Sequence, residues 1–490
     1  MNATQQSDVL VSAEAGGLAV RGGILRVGGY LVGIGLALGA MPLLTRHLGV
    51  GDFGRYITVL SLIAIVGLIS DAGLTVVGVR EYALRDREGR IRLVRNLVGL
   101  RALVALVGTT GATVFAVVVG YSESMVLGTA LAGIGLVIGV TQRAYTVPLE
   151  AGLRLGLVTA FDLLRQVLTV LAIVTLVAVG GRLVEFLSIP VPVGLVVLAA
   201  MAGTMRGRVI VRPSFDREEW RYLTQEALPV AIASTIGSFF YRAAIIMMSL
   251  LATAEQTGYF SASFRIIEAI IMVPGLLVAA AFPIAARAAH DDQERLSKTL
   301  QRLFDMAVVL GAWTAVGVVL GAGPVIHLVG GHAFDPAEPV LRVQGIALAS
   351  SYLVAVWAAG LWALREQRAL AWANIVGVGT AVGLTAALIP RAGAIGAAVA
   401  MTIAEALLAT MYAFVLMRRR PHVRPSLRVV PKSLAAATPA LALWFTPLPD
   451  FVNVLLATAV YYLLLVALRG IPADVMKALR SGWRLPRRAW

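Results

Sequence analysis

Apolar stretches of about 20 residues recur along nearly the whole chain and are separated by short polar gaps. A helix of that length crosses the hydrocarbon core of a bilayer. The pattern therefore predicts an all-α, polytopic integral membrane protein with about 14 transmembrane helices. We place them at 24–44, 56–79, 96–119, 125–143, 155–179, 183–204, 226–250, 258–286, 303–322, 338–362, 369–389, 394–417, 433–447 and 450–468.

Basic residues collect in every second gap, after the second, sixth, eighth and twelfth stretches, and again in the C-terminal tail. The intervening gaps hold few, chiefly Arg46, Arg55, Arg182 and Arg391. Lys and Arg are enriched on the cytoplasmic side of membrane proteins. Both termini are therefore predicted to be cytoplasmic, with an even number of spans in the inner (plasma) membrane.

Composition agrees with a membrane protein: 59% of residues are hydrophobic, 14% are charged and the mean hydropathy is +0.84. The net charge of +15 would indicate nucleic acid in a soluble chain. Here the basic residues flank apolar helices, so we expect contact with anionic membrane lipids and none with nucleic acid. The chain has no cysteine, which excludes disulfides and thiolate metal sites.

Two similar turns indicate an internal repeat. The segment 48–56 follows the first span and the segment 251–259 follows the seventh. Each ends in a Gly close to a Tyr, with the glycines at Gly54 and Gly258. An offset of six spans makes the repeat parallel, which predicts two six-helix bundles and alternating access. The predicted domains are a tail at 1–20, bundles at 21–221 and 222–420, two extra helices within 421–470, and a basic tail at 471–490.

Few charges lie within the predicted spans, and such charges normally face a cavity or a partner. Asp162–Arg165 and Arg265–Glu268 are spaced i, i+3, so each pair can neutralise itself on one helix face. Asp71 is either an ion site or a hydrogen-bond partner within the bundle. Glu405 has no partner nearby in sequence, so it either couples to an ion or pairs with an arginine on another helix.

Arg242 lies deep in the seventh span within Phe239-Phe240-Tyr241-Arg242, with no acidic residue within one helical turn. A guanidinium presents a planar pair of donors that matches a phosphate, although an interhelical salt bridge to Asp71 or Glu405 would also satisfy it. The five histidines have no metal-ligand spacing and no nucleotide-binding loop is present, so no metal and no cofactor is predicted.

The segment 44–56 resembles the first external turn of the polysaccharide-biosynthesis membrane proteins, the oligosaccharide-lipid flippases of the multidrug/oligosaccharidyl-lipid/polysaccharide exporter (MOP) superfamily. The segment 258–268 is similar to the start of their eighth span. The resemblance implies a flippase for a polyprenyl-diphosphate-linked oligosaccharide, with Arg242 and Arg265 as cavity charges that bind the substrate. It also implies glycan polymerase and glycosyltransferases as partners.

Two other functions stay open. Asp71 keeps a cation-coupled multidrug antiporter of the same superfamily in consideration, with Glu268 and Glu405 as further ion-coupling or structural candidates. A membrane-embedded glycosyltransferase is disfavoured, because the polar loops contain no paired carboxylates or acidic metal-binding motif. The chain is therefore predicted to be a transporter rather than an enzyme.

Overall fold

A computed structural model describes residues 14–204, 212–420 and 423–470, which form fourteen α-helices. In chain order they are α1 Glu14–Asp71, α2 Leu74–Leu84, α3 Arg87–Val118, α4 Glu123–Ala151, α5 Leu155–Ala178, α6 Leu183–Ser188, α7 Pro190–Thr204, α8 Arg217–Leu251, α9 Ala254–Asp291, α10 Gln293–Gly330, α11 Glu338–Ala363, α12 Gln367–Arg419, α13 Val429–Ala442 and α14 Asp450–Ala467.

The helices reproduce the predicted spans. Within the described ranges, 10 helices are long and apolar enough to cross a membrane, and Phe239–Leu251 and Val429–Phe445 are shorter apolar helices. Two of the ten, α1 and α12, are divided by non-helical backbone at Gly49 and Gly393. Both glycines lie in predicted external turns, so each long helix contains two predicted spans. The all-α polytopic fold and the number of spans are thus confirmed.

The second span contains a break that the hydropathy pattern did not predict. Helix α1 ends at Asp71, Ala72 and Gly73 have φ of 26° and 77°, and α2 begins at Leu74. Left-handed backbone is strained for a residue with a Cβ, so Ala72 is held there by its surroundings. The break places the Asp71 carboxylate at the C-terminal end of one helix, in the middle of a predicted span.

The chain divides into two compact units, residues 1–258 and 259–490. In the first unit α1 packs against α3, α4, α5 and α8, and α8 also contacts α2 and α3. The predicted division into bundles at 21–221 and 222–420 stays a prediction. Of the predicted tails, residues 1–13 and 471–490 lie outside the described residues.

In the second unit the two extra helices, α13 and α14, pack on α10. Tyr461 is fully buried and donates a hydrogen bond to the Val309 carbonyl at 2.8 Å. Trp313 contacts Tyr462 and donates to Thr458 at 3.2 Å. Buried polar groups that find partners in this way stabilise helix contacts where lipid gives no hydrophobic driving force between helices.

Candidate functional site

A buried ion pair sits at the break in the second span. Arg101 on α3 is 0% exposed, and its Nη2 donates to Asp71 Oδ1 at 2.8 Å and to Thr75 Oγ1 at 2.8 Å. Thr75, in the first turn of α2, donates to the same carboxylate oxygen at 2.7 Å. The break therefore joins α1, α2 and α3 through one carboxylate.

Arg101 keeps unused donors. Its Nε and Nη1 are buried and have no hydrogen-bond partner among the described residues. A buried guanidinium with two unsatisfied groups is costly, and the Asp71 carboxylate is the opposite charge that stabilises it. The pair therefore couples the helix break to α3 by electrostatics as well as by packing.

Arg143 also contacts Asp71, and Arg165 lies close enough to interact electrostatically with Arg143. Arg143 on α4 is 54% exposed and lies 3.5 Å from Asp71 Oδ2, while Asp71 itself is 27% exposed. Arg165 on α5 donates to Gln142, and Gln142 donates to the Gly194 carbonyl. Arg143 repels both Arg101 and Arg165. We call Arg101, Arg143 and Arg165 the arginine cluster.

Three acidic residues lie near this cluster. Asp162 attracts Arg165 and is exposed on α5. Glu150, near the end of α4, attracts Arg101 and pairs with Arg26 at 3.5 Å. Asp71 contacts two members of the cluster directly. An anion bound beside Arg143 would relieve the repulsion between the guanidinium groups.

The other candidates from the sequence lie elsewhere. Arg265 and Glu268 on α9 form their i, i+3 pair at 3.0 Å, with both side chains about one-third exposed, at 31% and 35%. Glu405 on α12 is 5% exposed and accepts a hydrogen bond from Ser351 on α11 at 2.6 Å. Arg242 is half-buried on α8, next to the perpendicular rings of Phe240 and Tyr241. Arg242 and Arg265 lie on α8 and α9, whereas the arginine cluster is formed by residues of α3, α4 and α5.

A second group of charges joins α2 to the start of α8. Arg85 contacts Glu219 at 2.5 Å, and Arg80 contacts Glu226 at 2.6 Å. Glu81 accepts hydrogen bonds from both arginines and from the Tyr222 hydroxyl at 3.0 Å. From the sequence, the arginines of this group were predicted only to belong to a basic loop that sets the orientation of the protein in the membrane. Acidic partners from α8 make them an ion-pair cluster.

The pKa of two of these groups is displaced. Burial lowers the pKa of Arg85, but the hydrogen bonds and charges of Glu219 and Glu81 together raise it by more, so the net displacement is upward. Desolvation and the hydrogen bond to Glu81 raise the pKa of Tyr222 above its ordinary range. Both groups therefore keep their neutral-pH protonation state, and the cluster stays intact across physiological pH.

From the sequence, Arg165 was named only as a partner of Asp162, and Arg101 and Arg143 were missed. Arg101 lies five residues inside the predicted span 96–119, and Arg143 is the last residue of the predicted span 125–143. At such positions an arginine normally extends its head toward the interface. Counting every arginine within a predicted span, including those in the first or last helical turn of the span, would have found Arg101 and Arg143.

The sequence was compared with models of known protein families and with curated proteins. The family model described as "Polysaccharide biosynthesis protein" matches residues 19–289. No curated protein matches the sequence. The resemblance to that family is confirmed by the model match.

Solved structures share the fold at low sequence identity. A lipid II flippase MurJ in an inward closed conformation is 12% identical with a TM-score of 0.73, over 92% of this chain and 100% of that one. An inward-facing MATE multidrug transporter of the MOP superfamily is 15% identical with a TM-score of 0.65, over 82% and 98%. A MOP transporter from Pyrococcus furiosus, described as having a binding pocket of reverse polarity, is 15% identical with a TM-score of 0.54, over 87% and 100%.

The chain thus has the fold of the membrane transporters of the MOP superfamily. Because the family model covers more than half of its residues, this protein belongs to the polysaccharide biosynthesis protein family.

Proposed function

We propose that this protein is a transporter that flips a polyprenyl-diphosphate-linked oligosaccharide across the cytoplasmic membrane by alternating access. Such a substrate carries an anionic diphosphate and a polar glycan. The observation that carries the proposal is the arginine cluster, in which the exposed guanidinium of Arg143 stands beside the buried one of Arg101. Guanidinium groups bind phosphates in a bidentate geometry.

The state of Asp71 supports an anionic substrate over a cationic one. Its carboxylate is engaged by Arg101 at 2.8 Å, by Arg143 at 3.5 Å and by the Thr75 hydroxyl. A cationic drug would have to compete with both Arg143 and Arg101 for this carboxylate. A diphosphate needs only to draw Arg143 away from its longer contact with Asp71, because that side chain is accessible.

We expect Arg143→Gln to slow flipping about tenfold or more in proteoliposomes. A hydrogen bond to a charged group contributes about 1.5 to 3 kcal/mol, and each 1.4 kcal/mol is a factor of ten. The measurement is the appearance of a fluorescent polyprenyl-diphosphate oligosaccharide in the opposite leaflet. Arg143→Lys should flip at an intermediate rate, because an ammonium keeps the charge but loses the planar fork.

Arg391→Gln is the matched control, since Arg391 is exposed and donates to the Ala387 carbonyl on its own helix. It should flip at the rate of the unchanged protein. Equal rates for Arg143→Gln and the control would contradict the proposal. A second substrate with the same glycan and lipid but no diphosphate separates anion recognition from glycan recognition.

A coupling ion is the second element of the proposal. Glu405 is buried and accepts a hydrogen bond from Ser351, which keeps the cation-coupled antiporter open as an alternative. A buried carboxylate can exchange a proton or a cation during a transport cycle. In the flippase proposal the ion moves through Glu405 while the lipid-linked anion uses the arginine cluster.

Glu405→Gln should therefore abolish the dependence of transport on an ion gradient while leaving protein abundance unchanged. Flipping rates measured with and without proton and sodium gradients check this. Loss of abundance would instead indicate a structural ion pair, because removal of one partner leaves a buried charge behind. Transport of a cationic drug without any flipping of the lipid-linked substrate would favour the antiporter.

Arg242 and Arg265 stay predicted substrate contacts. Arg242 lies in the last third of α8, and Arg265 is partly exposed beside Glu268. Glycosyltransferases and a glycan polymerase stay predicted partners, since they would supply and consume a lipid-linked oligosaccharide.

A further inference from the structure

Three potential metal ligands converge at the corner where α10 ends. One donor atom from each of His327, His332 and Asp335 lies within 4.8 Å of the others. His332 Nδ1 is 3.3 Å from Asp335 Oδ2, and His327 Nδ1 is 3.7 Å from Asp335 Oδ1. The two imidazole rings are 4.1 Å apart between centroids. The spacing of these residues in the sequence predicted no such site.

The backbone holds the three residues in place. Gly331 has φ of 69°, and its N–H donates to the His327 carbonyl at 2.9 Å, which ends α10 and turns the chain. Phe334 is 1% exposed and lies against Gly330, where an added Cβ would meet the ring at 2.3 Å. A short 3-10 helix, His332–Ala337, follows. The buried ring of Phe334, which lies between His332 and Asp335 in the sequence, therefore anchors this corner.

The distances fit a tetrahedral ion. Nitrogen and oxygen ligands at about 2.0 to 2.1 Å from Zn²⁺ lie about 3.3 Å from one another. The His332–Asp335 separation already has this value, and the exposed side chains can rotate to shorten the others. Their exposed fractions are 47% for His327, 87% for His332 and 52% for Asp335, so an ion has open access.

We propose that His327, His332 and Asp335 bind a Zn²⁺-class transition-metal ion with three protein ligands and an open fourth position. Two imidazoles and one carboxylate suit such ions, whereas Mg²⁺ and Ca²⁺ prefer oxygen ligands alone. By the predicted topology this corner faces the external side. The bound ion would fasten the end of α10 to the chain that leads into α11, independently of the substrate carried.

The test is Zn²⁺ binding by the full-length protein in nanodiscs, purified on a tag without histidine and stripped with a chelator. Zn²⁺ is titrated in competition with a chromophoric chelator. We expect one ion per chain, and an affinity at least about tenfold lower for His332→Ala and for Asp335→Asn. Loss of even an outer hydrogen-bond partner costs a metal site about 10- to 100-fold.

His290→Ala is the control, because His290 lies in the last turn of α9 and outside the group. It should bind like the unchanged protein, and Zn²⁺ should raise the melting temperature of both, but not of His332→Ala. Equal affinity in His332→Ala and the control would overturn the proposal, as would displacement of Zn²⁺ by equimolar Mg²⁺ or Ca²⁺. His332 is so exposed that its replacement does not threaten folding.

Discussion

Asp71→Asn is expected to lower the stability of the protein more than any other single change at the arginine cluster. The replacement leaves Arg101 charged, 0% exposed and without its carboxylate. Breaking a buried pair costs about 3 to 5 kcal/mol, and we expect the lower end because Asp71 is partly exposed. The measurement is the temperature at which the detergent-solubilised protein loses its monodisperse state.

Removal of the other partner should cost less. In Arg101→Met the Asp71 carboxylate keeps Arg143 and Thr75 and can contact water. The double variant Asp71→Asn/Arg101→Met should recover most of the loss, because neither charge is then buried alone. Glu88→Gln, which changes an exposed carboxylate in the first turn of α3, is the control and should melt like the unchanged protein. If Arg101→Met were the more damaging change, the charge argument would be wrong.

The spans were predictable because hydrophobic length and charge alternation are local properties of the sequence. The break at Ala72 and Gly73 was not, since it lies inside an apolar stretch whose average hides one Asp-Ala-Gly segment. A helix can be interrupted at such a point only where neighbours satisfy the freed groups. At this break Arg101 comes from α3 by tertiary packing and contacts the Asp71 side chain, which a hydropathy average does not reveal.

Among the charged residues too, contacts that are local in sequence were predictable and contacts between distant segments were not. The i, i+3 pair of Arg265 and Glu268 followed from helical spacing alone, and the structure forms it at 3.0 Å. The pairing of Arg85 with Glu219 joins residues 134 positions apart, which no local pattern contains. Arginines in the basic gap were therefore predicted to set orientation, and their second role as ion-pair partners of α8 became visible only in the fold.

The two repeat motifs meet in the structure. An added Cβ on Gly54 would lie 2.3 Å from the Ala254 carbonyl oxygen and 2.7 Å from the Gly258 nitrogen. An added Cβ on Gly258 would lie 2.2 Å from the Val50 carbonyl oxygen. In each case the obstructing atoms are backbone, which cannot rotate away. The glycines that mark the repeat in the sequence thus allow α1 and the start of α9 to touch without side chains between them.

Gly54→Ala and Gly258→Ala are therefore expected to destabilise the protein by about 1 to 3 kcal/mol each, the usual cost of overpacking. Helix propensity alone predicts the opposite sign, since alanine is favoured over glycine within a helix by about 0.5 to 1 kcal/mol. Gly111→Ala on α3 isolates that propensity effect, because nothing lies within 4 Å of its added Cβ. It should be neutral or stabilising.

The double variant Gly54→Ala/Gly258→Ala should lose less than the two single losses combined. The first substitution already separates the helices, so the second meets a contact that has opened. Melting temperatures of the four proteins and their flipping rates in proteoliposomes test this. A rise in melting temperature for Gly54→Ala, matching that of Gly111→Ala, would show that the helices do not need this contact. If the loss of stability in the double variant equalled the sum of the two single losses, the two glycines would belong to separate contacts.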